Sequence, residues 1–265
     1  MEEIKPDILV VLPAYNCADT IVEAGMCILR QSYKNIKLMV LDDGSTDTTY
    51  HEAKKLLYYY DSLGWKPKHP VTIATHSPNI GIVDTLNYGL LIAMKNDIPY
   101  VARMDGDDLC SPCRLEKQLN YMVEKDLDLC GTWARVVGKD GKHLEDFHPM
   151  IPEGDEKKWL VKFNYFIHGS MMINTSILKK VGCYTDVRHM IEDFDLWMRI
   201  ADQGRVGILN EYMYTLVRGN STTSGHENEI YNKAKEIRLH WAKKWDIQIP
   251  DHDLPNFNTI RSNNV

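Results

Sequence analysis

The chain lacks any apolar run near the ~20 residues that a membrane-spanning helix needs; its purest one, Ile8 to Tyr15, is eight residues long. The first seven residues, Met1-Glu2-Glu3-Ile4-Lys5-Pro6-Asp7, are acidic and carry no apolar signal core, so no secretory leader is expected. A cytosolic protein, at most peripheral to a membrane, is the expectation. An excess of positive charge is missing too: 31 Lys and Arg stand against 37 Asp and Glu, a formal net charge of −6, which argues against nucleic acid as the main partner. There is no G-x-x-x-x-G-K-[ST] loop, no G-x-G-x-x-G fingerprint and no G-x-S-x-G elbow. Kinase-type, Rossmann dinucleotide and serine-hydrolase chemistry therefore have no anchor. Ten histidines show no metal-binding helix spacing, and His168, ahead of Gly169-Ser170, is the one to watch. Cysteine is sparse, with six scattered residues, the pattern of free thiols rather than a disulfide framework. Cys110-Ser111-Pro112-Cys113 has redox or half-zinc spacing, but no second Cys/His pair completes it.

What is present is an ordinary apolar content of 44% over 265 residues, enough for one large domain or two fused halves. Short β-branched runs at 8–13, 36–41, 71–75 and 100–104 alternate with helical patterns. One helix starts at a Thr20/Glu23 capping box and reaches about Gln31; another carries Val83, Leu86, Leu90, Leu91 and Met94. This alternation predicts an α/β fold with a mostly parallel sheet flanked by helices, in which ligands bind outside the carboxyl ends of the strands. Beyond about residue 125 the alternation loosens. Glu192-Asp193 opens an amphipathic helix, and Ile230, Ala234, Ile237, Trp241 and Trp245 mark a long packing helix near the end.

Two strand ends carry acids. Asp105-Gly106-Asp107-Asp108 places three carboxylates in four residues, a repulsive arrangement unless a cation or hydrogen-bond donors compensate it. Carboxylate oxygens suit Mg²⁺ or Mn²⁺, while a solvated turn explains Asp-Gly without explaining three acids. Asp42-Asp43-Gly44-Ser45-Thr46-Asp47 reads as a turn with a helix cap, and its paired acids at the tip of an apolar strand are suited to a base N–H or a ribose hydroxyl. Glu192-Asp193 reads either as acids matched to a helix dipole or as a general base.

In order, these clusters resemble the family 2 glycosyltransferases, inverting enzymes of the GT-A fold. The resemblance runs through Val10 to Asn16, Asp42 to Asp47, Asn79-Ile80-Gly81, Asn87-Tyr88-Gly89, Ala102 to Asp108 with Pro112 and Arg114, and Glu192 to Trp197, covering about residues 7–220. It implies a nucleotide-sugar donor, UDP-linked in most cases, with Pro13, Ala14, Tyr15, Asp42, Asp43, Asn79, Gly81, Asn87, Arg103 and Asp105 on the donor side. It implies a divalent metal, Mn²⁺ or Mg²⁺, on Asp107 and Asp105, and Asp193 as general base with Glu192 beside it. The halves would be 1–110 for the nucleotide-sugar and 111–225 for the acceptor, followed by a helix and tail at 226–265. The implied activity is hexosyl or N-acetylhexosaminyl transfer, in polysaccharide biosynthesis, to a glycan, lipid-linked or protein-linked acceptor. The competing readings are a non-catalytic scaffold of the same fold and a glycoside hydrolase with facing carboxylates. One departure stands out: Asn220, after Arg218-Gly219, occupies the place of a family histidine, for which His168 or His226 would have to substitute.

Overall fold

The computed structural model describes residues 6–64, 67–185, 190–218 and 226–249. Strands β1 (Ile8–Ala14), β2 (Ile36–Asp42), β3 (Thr72–Thr75) and β4 (Tyr100–Arg103) alternate with helices α1 (Ile21–Leu29), α2 (Thr49–Ala53), α3 (Lys55–Ser62) and α4 (Ile82–Lys95). Then come β5 (Leu109–Cys110), α5 (Arg114–Lys125), β6 (Leu129–Gly138), β7 (His143–Phe147), α6 (Glu156–Lys162) and a 3₁₀ turn (His168–Ser170). The remainder is β8 (Met172–Asn174), α7 (Thr175–Val181), α8 (Glu192–Gln203), β9 (Val206–Arg218) and α9 (Glu227–Lys244).

The described strands form one sheet in the order β3-β2-β1-β4-β8-β6-β9-β5, with β7 paired to β6. β1, β2, β3 and β4 pair in parallel, as do β6 and β9; β8 is antiparallel to both β4 and β6. Because β8 runs against both neighbours, β6 runs in the same direction as β4, and the carboxyl ends of β1, β2, β4 and β6 open on one side. All seven residues of β1 are buried, as expected of a central parallel strand covered on both faces. β3, at the sheet edge, exposes both terminal threonines, which suits an unpaired edge. Ile8, Val10, Leu12, Ile36 and Leu38 pack with α1, α3 and α5 residues on one face; Leu9, Val11, Leu41 and Val101 pack with α4, α6, α7, α8 and α9 on the other.

Local expectations from sequence are met with adjustments. Thr20 stands at the N-cap of α1, but its hydroxyl makes no cap hydrogen bond. It donates instead to the Gly106 carbonyl at 2.8 Å, which ties α1 to the acidic turn. The helix ends at Leu29, not Gln31, and the side chain of Gln31 is used in the interior, on Cys27 O, Ser111 O and Leu115 N. The segment after Asp47 forms two short helices that meet at Lys54. Among the described residues all six cysteines are free, and no helix is long and apolar enough to cross a membrane.

Candidate active site at the carboxyl ends of the strands

The first wall is built by the ends of β1 and β2. Pro13 and Ala14 are buried, and Tyr15 emerges with 52% of its surface exposed. Asp43 N–H donates to Ala14 O at 2.8 Å, which sets the second acidic residue beside the end of β1. Asp43 is buried, and its Oδ1 and Oδ2 accept from the backbone N–H groups of Ile80 (2.8 Å) and Gly81 (3.0 Å). Asn79 Nδ2 donates to Asp43 O at 2.7 Å, and Asn79 Oδ1 accepts from Gly81 N–H at 3.0 Å. Gly44 (φ +66°) and Gly81 (φ +87°) both hold left-handed backbone, and a Cβ on Gly44 would lie 2.7 Å from Asn79 N. Two glycines thus let the Asp42–Gly44 and Asn79–Gly81 turns close on each other. Asp42 is also buried; Oδ2 accepts from the Thr75 hydroxyl at 2.7 Å, while Oδ1 has no partner. Asn87 stands apart from this wall. Its amide donates to Tyr184 O and accepts from Tyr184 N–H, each at 3.0 Å, fixing the segment after α7 to α4.

The second element is the acidic turn after β4. Arg103 is 2% exposed and its Nη2 donates to Asp105 Oδ1 at 2.7 Å. Asp107 is the exposed member of the trio; desolvation and then the charge of Asp105 raise its pKa, with Lys139 pulling the other way. Asp108 turns inward instead. It is buried, accepts from the Tyr214 hydroxyl at 2.8 Å and from Val217 N–H at 2.7 Å, and burial followed by Asp105 lifts it to about 8. The acids of the clusters therefore differ in how open they are to solvent. Asp42, Asp43 and Asp108 belong to the internal hydrogen-bond frame, and Asp107 faces solvent.

The third element is the start of α8. Glu192 is buried with Oε2 unpartnered, and Asp193 accepts from Phe194 N–H at 2.7 Å and from Asn164 Nδ2 at 3.3 Å. Burial first and Glu192 second push Asp193 up to about 7, against a smaller pull from Arg103. Arg103 thus bonds Asp105 in the acidic turn and also acts electrostatically on Asp193 of α8. Its Nε and Nη1 are buried without partners, as is Trp197 Nε1. Buried groups of this kind call for a polar partner, and a ligand group or water reaching between β4 and α8 would meet them. His168 is held by Tyr184, with Nε2 2.8 Å from the hydroxyl; burial, then Arg103, keep it neutral by depressing its pKa.

Several organising residues carry no motif. Tyr214, in β9, is 1% exposed; its hydroxyl donates to Asp108 and accepts from Asp105 N–H at 3.3 Å. Gly169 packs so closely that a Cβ there would collide with the Tyr214 hydroxyl and lie 2.5 Å from Asp105 Oδ2. Nothing in the local sequence marks either residue, because their partners lie more than 40 positions away. Gly169→Ala is expected to lower stability by about 1–3 kcal/mol through overpacking. A denaturation midpoint equal to wild type would show that the contact relaxes freely.

The residues suit a hard divalent cation in chemistry: Asp105 keeps Oδ2 clear of Arg103, and Asp107 is exposed. Among the described residues no three His, Cys, Asp or Glu side chains gather as a metal site, so neither His168 nor His226 completes one there. Two carboxylates with ligand phosphates is a usual set for Mg²⁺. His226 instead pairs with Glu229 at 3.4 Å at the start of α9. Asn220 and its serine-rich neighbours lie outside the described residues.

Comparison with known proteins adds independent findings. The model of the family described as glycosyl transferase family 2 matches residues 9–182. The chain is 33% identical over 241 residues to "Putative glycosyltransferase EpsE" of Bacillus subtilis, covering 89% of this chain and 82% of that protein. It is 29% identical to the O-antigen biosynthesis glycosyltransferase WbnJ of Escherichia coli, covering 74% and 73%. In three dimensions it resembles S. aureus TarS 1-349 in complex with UDP-GlcNAc, with a TM-score of 0.67 and 16% identity over 95% of this chain and 71% of that one. It also resembles the mannosyltransferase PcManGT of Pyrobaculum calidifontis in complex with GDP-Man and Mn²⁺ (TM-score 0.63, 17% identity, 95% and 69% coverage).

Proposed function

The chain belongs to glycosyl transferase family 2 and is a glycosyltransferase of the GT-A fold, and on that premise we propose that it moves a sugar, with inversion, from a UDP-sugar to an acceptor hydroxyl. The acceptor is a glycan, lipid-linked or protein-linked, and the reaction serves polysaccharide assembly in the cytoplasm or at a membrane surface. The observation that carries this reading is a carboxylate at the start of α8, Asp193, held by Phe194 N–H and Asn164. The buried cation Arg103 acts on it while bonded to Asp105 of the acidic turn, and burial and Glu192 push Asp193 up to about 7.

In this reading the first half, to about residue 110, holds the donor, with Pro13, Ala14, Tyr15 and the Asp42–Gly81 frame around the nucleoside. Asp105 and Asp107 would hold a divalent cation, which when bound offsets the charge developing on a diphosphate leaving group. Asp193 takes the proton from the acceptor hydroxyl. The acceptor oxygen bonds to the anomeric carbon from the face opposite the nucleotide, while the bond to the diphosphate breaks and its electron pair leaves with the phosphate. Arg103 keeps Asp105 oriented and offsets the acids on α8. The two relatives of known structure have donors with different bases, UDP-GlcNAc and GDP-Man, so the test screens both. UDP-, GDP- and dTDP-sugars are incubated with the protein and Mn²⁺, and release of the nucleotide is followed. Metal-dependent hydrolysis of a UDP-sugar is the expected result; calorimetry showing no UDP binding with Mn²⁺ would sink the proposal.

A further inference from the structure

The face of β6 turned away from Tyr214 carries a group of rings that the donor chemistry leaves unused. Trp133, His148 and Tyr212 form a triangle, with centroids 5.4 Å apart for Trp133–Tyr212, 5.8 Å for Trp133–His148 and 6.2 Å for His148–Tyr212. All three are half-buried. Trp133 Nε1 donates to Pro149 O at 3.1 Å, which fixes the plane of the indole. The Arg135 guanidinium lies 5.2 Å from the Tyr212 ring centre, and Asp146 stands opposite Arg135 in the β6–β7 ladder.

A β-bulge in β9 assembles this group. The register passes from Trp133↔Tyr212 to Ala134↔Tyr214, skipping Met213. In a regular strand Tyr212 and Tyr214, two positions apart, would share a face; the extra residue of the bulge breaks that alternation. With it, Tyr214 enters the α5-side core and holds the acidic turn, while Tyr212 joins Trp133 on the opposite face. β6 then continues from Trp133 and Arg135 to the turn carrying Lys139, whose charge acts on Asp107. One strand thus links the ring cluster to the neighbourhood of the acidic turn.

We propose that Trp133, Tyr212 and His148, with Arg135 and Asp146 at their rim, form an acceptor subsite that takes one pyranose ring of a glycan. A pyranose offers a C–H face to an aromatic surface and a rim of hydroxyls to planar charged groups. Rigid aromatic area beside a few placed polar groups is how such ligands are gripped. Arg135 and Asp146, the latter hydrogen-bonded to His143 at 2.8 Å, set opposite charges side by side at the rim and favour a hydroxyl-rich neutral sugar over an anionic one, because an anion would meet Asp146 as well as Arg135. The nucleoside is proposed for the other half of the sheet, at β1 and β2, and does not compete for this surface. The inference rests on the transferase reading and names the substrate class of its second half.

The test uses the full chain with cellotriose, maltotriose and chitotriose as probes. Binding is read by saturation-transfer NMR and titration, and metal-dependent hydrolysis of the UDP-sugar is measured alongside. At least one trisaccharide is expected to bind wild type, with Trp133→Ala and Tyr212→Ala weakening it about fivefold to tenfold. Trp133→Phe is expected to retain most of the affinity, and donor hydrolysis to stay within about twofold in every variant, since donor-site contacts are untouched. Failure of all three probes to bind wild type, or equal binding by folded Trp133→Ala, overturns the subsite. Trp133-dependent binding without donor hydrolysis in wild type would uphold the subsite and count against the transferase reading instead.

Discussion

Asp193→Asn is expected to lower sugar transfer by about 10²–10⁴-fold, the range that a positioned general base contributes, while UDP binding stays near wild type. The amide keeps the acceptor for Phe194 N–H but cannot take a proton. Since burial and Glu192 hold Asp193 near pKa 7, the wild-type rate should climb about tenfold per unit as pH rises toward 7 and level off above it. A wild-type profile flat from pH 5 to 8, or an Asn variant with normal turnover, would remove Asp193 from the role of base.

The same shift has a cost in stability, and its sign follows from proton counting. Unfolded, this carboxyl ionises near its ordinary value of about 4; folded, it holds its proton to about 7. Between those values the folded protein binds more protons, so stability is greatest at the acidic end of the window and falls as pH rises through it. Asp108, lifted to about 8 by burial and Asp105, acts in the same direction. Asp193→Asn removes one ionisation, so at pH 8 the variant without ligands should melt higher. For a chain of this size each recovered ~1 kcal/mol is worth about 2–4 °C. A variant that is slower and more stable is the expected signature of a strained catalytic group.

Asp107→Ala is expected to reduce transfer about a hundredfold, the loss of roughly 3 kcal/mol of leaving-group stabilisation, and to abolish the dependence of UDP affinity on Mn²⁺. Calorimetry with and without metal, together with EDTA titration of the residual activity, reads both effects. Asp107 is exposed, so its truncation should leave the melting temperature within the small range of surface substitutions. Unchanged Mn²⁺-dependent UDP binding in the variant would take the metal role from Asp107. Asp108→Ala should behave differently: it leaves the buried Tyr214 hydroxyl and Val217 N–H without an acceptor, so the chain should lose about 1–3 kcal/mol of stability.

The first half of the fold was legible because its signals are local. β1 is an uninterrupted apolar run, and Asp-Asp-Gly-Ser and Asp-Gly-Asp-Asp mark where strands end. The amphipathic stripes of α4 and α8 need only one face of each helix to be seen. The Thr20/Glu23 pair shows the limit of such reading: the capping pattern is present, yet the hydroxyl serves Gly106, 86 positions on. The second half was opaque because β8 and β9 are specified by partners, and β9 holds a bulge that changes which face its tyrosines occupy.

From sequence alone come the strand-end acids, the α/β alternation, the candidate base at the start of α8 and the order of motifs that points to a sugar transferase. The acids and the alternation follow from residue type and spacing along the chain; the transferase reading and the choice of base follow from the family that the ordered motifs resemble. Which acids remain open to a ligand was decided only by tertiary structure. Asp43 is closed off by the Ile80 and Gly81 N–H groups, Asp108 by Tyr214 and Val217, and Asp107 is left outside. The physical reason is that a carboxylate's role depends on the donors and the solvent around it, and here those donors come from segments 37 to 109 residues distant.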